Sequence, residues 1–272
     1  MIIRALTILV LTALIFGTAA YFSYELYWKP QKLDRLDREA QAAAPISVTP
    51  TDYTLPAYEK AVQAQKSGDI AAGRAALMDF IANYPDSPNL SAAKKLLGEL
   101  NSKQFFSPTD PTDKVIYTVA SRDSLVRIAS KFKSSAELIF RVNNLENINL
   151  QIGQKLSIPQ VDAAVILNRK AHTITVNNKG QFFREYPIVS FKAPSAPSGA
   201  KVTDKFGLKD SKRVPFGDKE YADCDRVIMI SGGATIRGVA EGGTPPPGIV
   251  VSNDDVEEIF LLVSRGTPVT MQ

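Results

Sequence analysis

Gly243-Thr244-Pro245-Pro246-Pro247-Gly248-Ile249-Val250-Val251-Ser252-Asn253-Asp254-Asp255-Val256-Glu257-Glu258 is the stretch on which the reading of this chain turns. Its three consecutive prolines lock φ and remove backbone donors, so the run cannot supply the nest of amide N–H groups that would hold an oxyanion. Ser252 or Asn253 then offers a cap to a helix over Asp254 to Leu262. Upstream, Ala164 to Asn168 and Thr173 to Val176 are short β-branched runs around a polar turn. Asn177-Asn178-Lys179-Gly180 has the chemistry of a hairpin turn into Phe182 to Ser190. Arg226 to Ile230 reads as a buried strand and Gly266 to Thr270 as a terminal one. The expectation is one small, mostly β domain over residues 161–272.

The order of these segments resembles the YkuD-type L,D-transpeptidases, which cross-link peptidoglycan through a catalytic cysteine. That family reads Ser/Thr-His-Gly-Cys-apolar-Arg-apolar-Ser/Thr-Asn, followed by an acidic helix. Ala193 to Val202 is similar to its Thr-Pro-x-x-Pro-x-Gly segment, and Thr235-Ile236-Arg237-Gly238 takes the place of its Ile-His-Gly. The resemblance puts Gly248 at the cysteine, Pro246 at the adjoining histidine, Val250 at the arginine and Arg237 at the first histidine. A thiolate nucleophile needs sulfur, a base and a nearby positive charge. Gly248, Pro246 and Val250 supply none of them. Arg237 and Gly248 are eleven residues apart, a shorter gap than the family leaves, so the loop over the site is expected to be trimmed. The resemblance thus implies a retained scaffold with no catalytic residue, no metal and no cofactor.

Cys224 is the only cysteine and His172 the only histidine. A relocated nucleophile, Cys224 with His172 as base, is the enzyme alternative. Against it, the flanking Asp223 and Asp225 disfavour a thiolate by like-charge repulsion. The plain reading is an unreactive thiol and a solvated histidine at a strand edge.

In the middle of the chain, Leu125, Ile128, Ala129 and Phe132 share one helical face. Asp123 or Ser124 can cap that helix. Leu138, Ile139 and Val142 give a second helix an apolar stripe, and Lys155-Leu156-Ser157-Ile158 alternates as a half-buried strand ended by Pro159. Together with Ile116-Tyr117-Thr118-Val119, Val142-Asn143-Asn144-Leu145 and Ile152-Gly153-Gln154, this resembles a LysM module. LysM modules are β-α-α-β units that bind N-acetylglucosamine-containing chains. The resemblance makes Asp123, Ser124, Asn143, Asn144, Gly153 and Gln154 the glycan-binding candidates. For Asn143 and Asn144, turn chemistry at a helix C-terminus explains the residues equally well. The family's glycine before Asp123 is replaced by Arg122, at the lip of the expected groove.

Residues 55–106 read as helices broken at Ser67-Gly68-Asp69 and Tyr84-Pro85. Ala76, Phe80 and Pro88 resemble late positions of a tetratricopeptide repeat. Such arrays generally need at least about three repeats, so a TPR-like helical spacer docked on a neighbour is expected. Ala5 to Phe22 is 18 residues without a charge, about 27 Å as a helix, close to the thickness of a bilayer core. Tyr21, Tyr24, Tyr27 and Trp28 extend it as an aromatic belt.

The expected organisation is therefore multi-domain α+β: 1–28 a signal or membrane anchor, 29–54 a linker, 55–106 the helical segment, 107–114 a linker, 115–160 the LysM module and 161–272 the L,D-transpeptidase-like domain. A net charge of +4 over 272 residues is spread along the chain. That lacks the clustering of a nucleic-acid footprint. The partners expected are peptidoglycan strands, the cytoplasmic membrane through residues 5–22 and other cell-wall proteins. The place expected is the bacterial envelope, anchored in the inner membrane and facing the periplasm, with secretion after signal cleavage as the alternative. The function expected is peptidoglycan binding by a pseudoenzyme. Its alternatives are a divergent transpeptidase using Cys224 and a scaffold that recruits other wall enzymes.

Overall fold

A computed structural model describes residues 2–43, 52–194 and 196–272; the side chains of 2–8, 10, 13 and 39–43 lie outside that description. The chain divides into two compact units, Met1–Thr51 and Asp52–Gln272.

The first unit is helical: α1 (Ile2–Ser23), a π-helical stretch over Tyr24–Trp28, and α2 (Lys29–Ala43). The widened turn has a local cause. Pro30 has no N–H, and its ring crowds the carbonyl four residues back. The helix relaxes into i→i+5 bonding just before it, with the Lys29 N–H donating to the Tyr24 carbonyl. A linker was expected from residue 29, but helix persists to Ala43 because residues 31–43 are good helix formers free of glycine and proline. The Thr/Pro-rich remainder of that linker, 44–51, lies outside the described residues. The same holds for many side chains of the span expected over Ala5 to Phe22. Among the described residues, no helix is long and apolar enough to cross a membrane.

The second unit opens with α3 (Leu55–Lys66), α4 (Ile70–Asn83) and α5 (Leu90–Phe105). Asp69 caps α4, its carboxylate accepting from the Ala72 N–H at 3.0 Å. Then come β1 (Lys114–Thr118), α6 (Leu125–Phe132), α7 (Ala136–Val142) and β2 (Lys155–Pro159). β1 and β2 pair antiparallel. Ser124 caps α6 and Ser135 caps α7. Val119, Leu125, Ile128, Ala129, Ile139, Leu156 and Ile158 form the core of this module. The expected 107–114 linker is short and ordered, and the Ser157 hydroxyl ties it down by donating to the Pro108 carbonyl at 2.9 Å.

The remaining strands are β3 (Ala163–Asn168), β4 (Thr173–Asn178), β5 (Gln181–Pro187), β6 (Ser190–Lys192), β7 (Val202–Lys209), β8 (Lys212–Val214), β9 (Asp225–Ile230), β10 (Thr235–Val239) and β11 (Gly248–Ser252), then helix α8 (Asn253–Leu262) and β12 (Val269–Met271). They form a six-stranded sheet, β6-β11-β10-β9-β7-β8, and a four-stranded sheet, β12-β3-β4-β5. Lys179 and Gly180 both take positive φ between β4 and β5, the two-residue turn that the right-handed twist of a hairpin favours. Ser252 caps α8 through its hydroxyl, which accepts from the Asp255 N–H at 3.1 Å. Ile174, Tyr186, Ile228, Ile236, Ile249, Val251, Ile259 and Phe260 fill the core between the sheets and α8.

Two helices bind the parts of this unit together. α5 lies against β5, so close at Gly98 that a Cβ there would sit 2.8 Å from Arg184 Cγ. The Asn101 amide donates to the Phe182 and Phe183 carbonyls at 3.2 and 2.8 Å. The helical segment is thus docked on a neighbour, as expected of it. α7 faces two ways: Ile139 belongs to the LysM-like core, whereas Leu138 and Val142 belong to the core of the β domain.

Candidate functional site

The six glycan-binding candidates lie at the helix ends and in the loops of the β-α-α-β module, and several are already engaged. Asp123 accepts from the Tyr117 hydroxyl and the Ala120 N–H, both at 2.8 Å. The Ala120 N–H first, then the Tyr117 phenol, hold its carboxyl below the usual range. Ser124 accepts from the Arg127 N–H. Arg122 sits at φ 68°, a left-handed conformation in which a glycine is at ease and an arginine is not. The backbone has therefore kept the shape that the missing glycine would favour.

Asn143 is a clamp. Its amide donates to the Ile139 and Ser157 carbonyls, each at 2.8 Å, and its oxygen accepts from the Ser157 N–H at 2.7 Å. That commits the side chain to closing α7 and joining it to β2. Asn144 is exposed with φ 48°, terminating the helix in the left-handed conformation asparagine tolerates. The Gly153 N–H donates to the Val119 carbonyl at 2.8 Å, and the Val119 N–H donates to the Gln154 carbonyl at 2.9 Å. Those bonds tie the 151–154 turn to the end of β1. Ile152 in that turn is 74% exposed, and Ile148, which lies beside Gly217, is 46% exposed.

The four substituted positions of the transpeptidase pattern meet at the parallel pair β10 and β11. Arg237 lies opposite Val250, and Ile236 opposite Ile249. Gly248 opens β11, with Pro246 just before it. Its φ is 125°, and a Cβ there would lie 2.6 Å from Thr235 Oγ1 and 2.9 Å from the Thr235 carbonyl oxygen. The strand has closed over the space a side chain would need. Cysteine is thus excluded here by packing as well as by sequence.

Cys224 and His172 are not brought together. His172 is exposed at φ 55° in the turn before β4, on the four-stranded sheet. Cys224 is buried just before β9 of the other sheet, its thiol donating to the Glu220 carbonyl at 3.3 Å. Its pKa is raised, and burial is the leading cause. Arg226 and Lys209 oppose that rise, while Glu220 and Asp225 add to it. Neighbouring aspartates alone were the expected cause; desolvation outweighs them.

The sequence reading missed the contact between the LysM-like module and the β domain. Residues 215–222, between β8 and β9, reach over α7. Phe216 meets Phe140 at 5.6 Å and Tyr221 at 5.4 Å, edge to face, and the Tyr221 hydroxyl donates to Glu137 at 3.3 Å. Burial first, then Glu137, pushes the Tyr221 phenol up. Two aromatic residues in an otherwise polar loop were the signal available.

Comparison with known proteins gives two kinds of match. Over part of its length the structure is similar to an L,D-transpeptidase from Mycobacterium smegmatis, with 22% identity, a TM-score of 0.31 and coverage of 45% of this chain and 64% of that one. It is similar to L,D-transpeptidase 1 of Mycobacterium tuberculosis at 13% identity and a TM-score of 0.30, covering 43% and 66%. It is also similar to L,D-transpeptidase 3 of that organism at 14% and 0.31, covering 62% and 99%. The chain spans just under two thirds of the length of the first two. The second match is to a family of modules, and it falls where β1 to β2 were described: residues 117–159 are a LysM domain.

Proposed function

We propose that this protein is a peptidoglycan-binding protein of the bacterial cell envelope, in which the LysM domain holds glycan strands and the C-terminal β domain is an L,D-transpeptidase-like scaffold without the transpeptidase reaction. The observation that carries the reading is the LysM domain at 117–159, in which Ile148 and Ile152 stand exposed. Exposed aliphatic side chains beside backbone turns offer apolar contact to sugar faces and hydrogen bonds to acetamido groups. The scaffold reading is supported by Gly248, where a nucleophile's Cβ has no room. A relocated nucleophile is disfavoured by the burial of Cys224 and its separation from His172. The uncharged run Ala5 to Phe22, with exposed Tyr21 near its end and exposed Tyr24, Tyr27 and Trp28 beyond it, supports an inner-membrane anchor that leaves residues 52–272 facing the periplasm.

The test is sedimentation of residues 30–272 with purified peptidoglycan, with and without an excess of N-acetylglucosamine tetramer. The protein is expected to pellet with the wall material and to be released by the tetramer. Failure to pellet, or pelleting that the tetramer leaves unchanged, would overturn the reading.

A further inference from the structure

Between the LysM domain and the β domain lies a cleft of about 810 Å³, within the range of small-ligand sites. One wall is the aromatic row Phe140, Phe216 and Tyr221. The rim carries Glu146, Asp218 and Asp254, all exposed and none in an ion pair among the described residues. Asp218 accepts one local hydrogen bond, from the Glu220 N–H.

The charges deeper in the cleft are already spent. Arg226 is held by Glu257 at 2.8 Å, donates to the Tyr221 carbonyl at 3.0 Å and stacks 4.2 Å from the Tyr221 ring. Glu258 is taken by Arg184 at 2.7 Å and by the Tyr186 hydroxyl at 3.0 Å. Among the described lining residues, Arg141 is the one cation without a carboxylate partner. Three uncommitted carboxylates against one arginine leave the rim negative over an aromatic floor. An uncharged sugar can only donate its hydroxyls to such a rim, whereas a ring that carries an ammonium adds a Coulombic attraction to the carboxylates and a cation's attraction to the aromatic faces.

Glu146 and Ile148 belong to the loop between α7 and β2, the same loop that carries the glycan-binding candidates Gly153 and Gln154. That shared loop is what joins those candidates to the wall of the cleft. We propose that the cleft is a second subsite of the glycan site and takes a hexosamine with a free amine. The sugar ring packs on Phe216 with the Tyr221 edge beside it, and its ammonium faces the rim that carries Glu146, Asp218 and Asp254. The inference rests on the LysM domain's glycan binding for the continuity of the chain, but not for the chemistry of the cleft.

Titration calorimetry on the full chain compares the N-acetylglucosamine tetramer with its fully de-N-acetylated counterpart at low salt. The free-amine tetramer is expected to bind about fivefold tighter or more, with the gain fading as salt is raised. The variant E146Q/D218N/D254N is expected to treat the two tetramers alike. Equal binding of both by the wild type, or a preference that survives in the variant, overturns the proposal.

A second readout does not depend on the LysM groove. Glucosamine should shift the ring resonances of Phe216 and Tyr221 at a concentration at least about fivefold lower than N-acetylglucosamine needs. No shift with glucosamine defeats the cleft even where the acetylated tetramer binds. A shift without any binding of the acetylated tetramer defeats the glycan reading of the LysM domain and leaves the amine subsite standing.

Discussion

Gly248 concentrates the question of activity in a single Cα. Its φ of 125° is a conformation that L side chains rarely adopt, and the Thr235 hydroxyl and carbonyl fill the volume a Cβ would need. Putting a cysteine there returns the sulfur but neither the base nor the geometry, because Arg237 and Pro246 stand where histidines would be and the proline run offers no amide donors. The Gly248→Cys variant is expected to lose about 1–3 kcal/mol of stability from strain and overpacking, seen as a lower denaturation midpoint. Neither it nor the wild type should gain the mass of a carbapenem that traps active-site cysteines. Should the wild type gain that mass and Cys224→Ser lose it, the relocated nucleophile would displace the scaffold reading. Asn143 carries a different lesson at the same scale. An Asn-Asn pair in a LysM pattern can equally be a ligand contact or a turn, and the three side-chain bonds to Ile139 and Ser157 give Asn143 a third part, tying the end of a helix to a strand.

Among the elements, the packing of α8 on the six-stranded sheet makes stability depend on pH in a direction that can be worked out. β7 places Lys205 under α8, where its ammonium donates to the Phe260 carbonyl at 2.7 Å and lies 4.5 Å from the Phe260 ring. Burial lowers its pKa from 10.5 to about 8, against the pull of Glu137. Below about pH 8 the charge is carried in both the folded and the unfolded chain, and the full cost of burying it is present. Between about 8 and 10.5 the unfolded chain binds the proton more tightly, so stability rises with pH across that window. Tyr186 and Tyr221 act oppositely. Their pKa values are raised above 10.0, mainly by burial, so the unfolded chain ionises first and stability falls above about pH 10. Denaturant unfolding is therefore expected to show a climb from about pH 8 and a turnover near about pH 10. Lys205→Met should remove the climb and keep the turnover. A wild-type profile that stays flat up to about pH 10, parallel to that of the variant, would show that this ammonium is not desolvated.

At the scale of the whole molecule, what the sequence made legible was local. Turn chemistry placed the Asn177–Gly180 hairpin, an i, i+3, i+4, i+7 face placed α6, and serine caps placed α6 and α8. What it hid was which way an apolar stripe faces. Leu138, Ile139 and Val142 read as one stripe of one helix, but Ile139 turns into the LysM core while Leu138 and Val142 enter the β-domain core. Periodicity records that a side chain is buried, not what buries it. The persistence of α2 to Ala43 was hidden for a related reason, since an alanine-rich run serves a linker or a helix equally. The division of α7 between two cores has a consequence for folding. Because Leu138 and Val142 are fully buried against the β domain, a LysM domain cut out at 115–160 exposes both and loses the partners that hold α7. Leu138→Ala in the full chain should cost about 2–4 kcal/mol. The loss should appear in amide hydrogen exchange of β9 to β11 as fully as in α6 and β2, because the domains share the core that is damaged. Were the LysM domain merely tethered, only its own amides would exchange faster and the β-domain strands would keep their protection. Equal loss in both identifies residues 52–272 as one cooperative unit, in which a LysM domain holding glycan also holds the β domain in fixed register beside it.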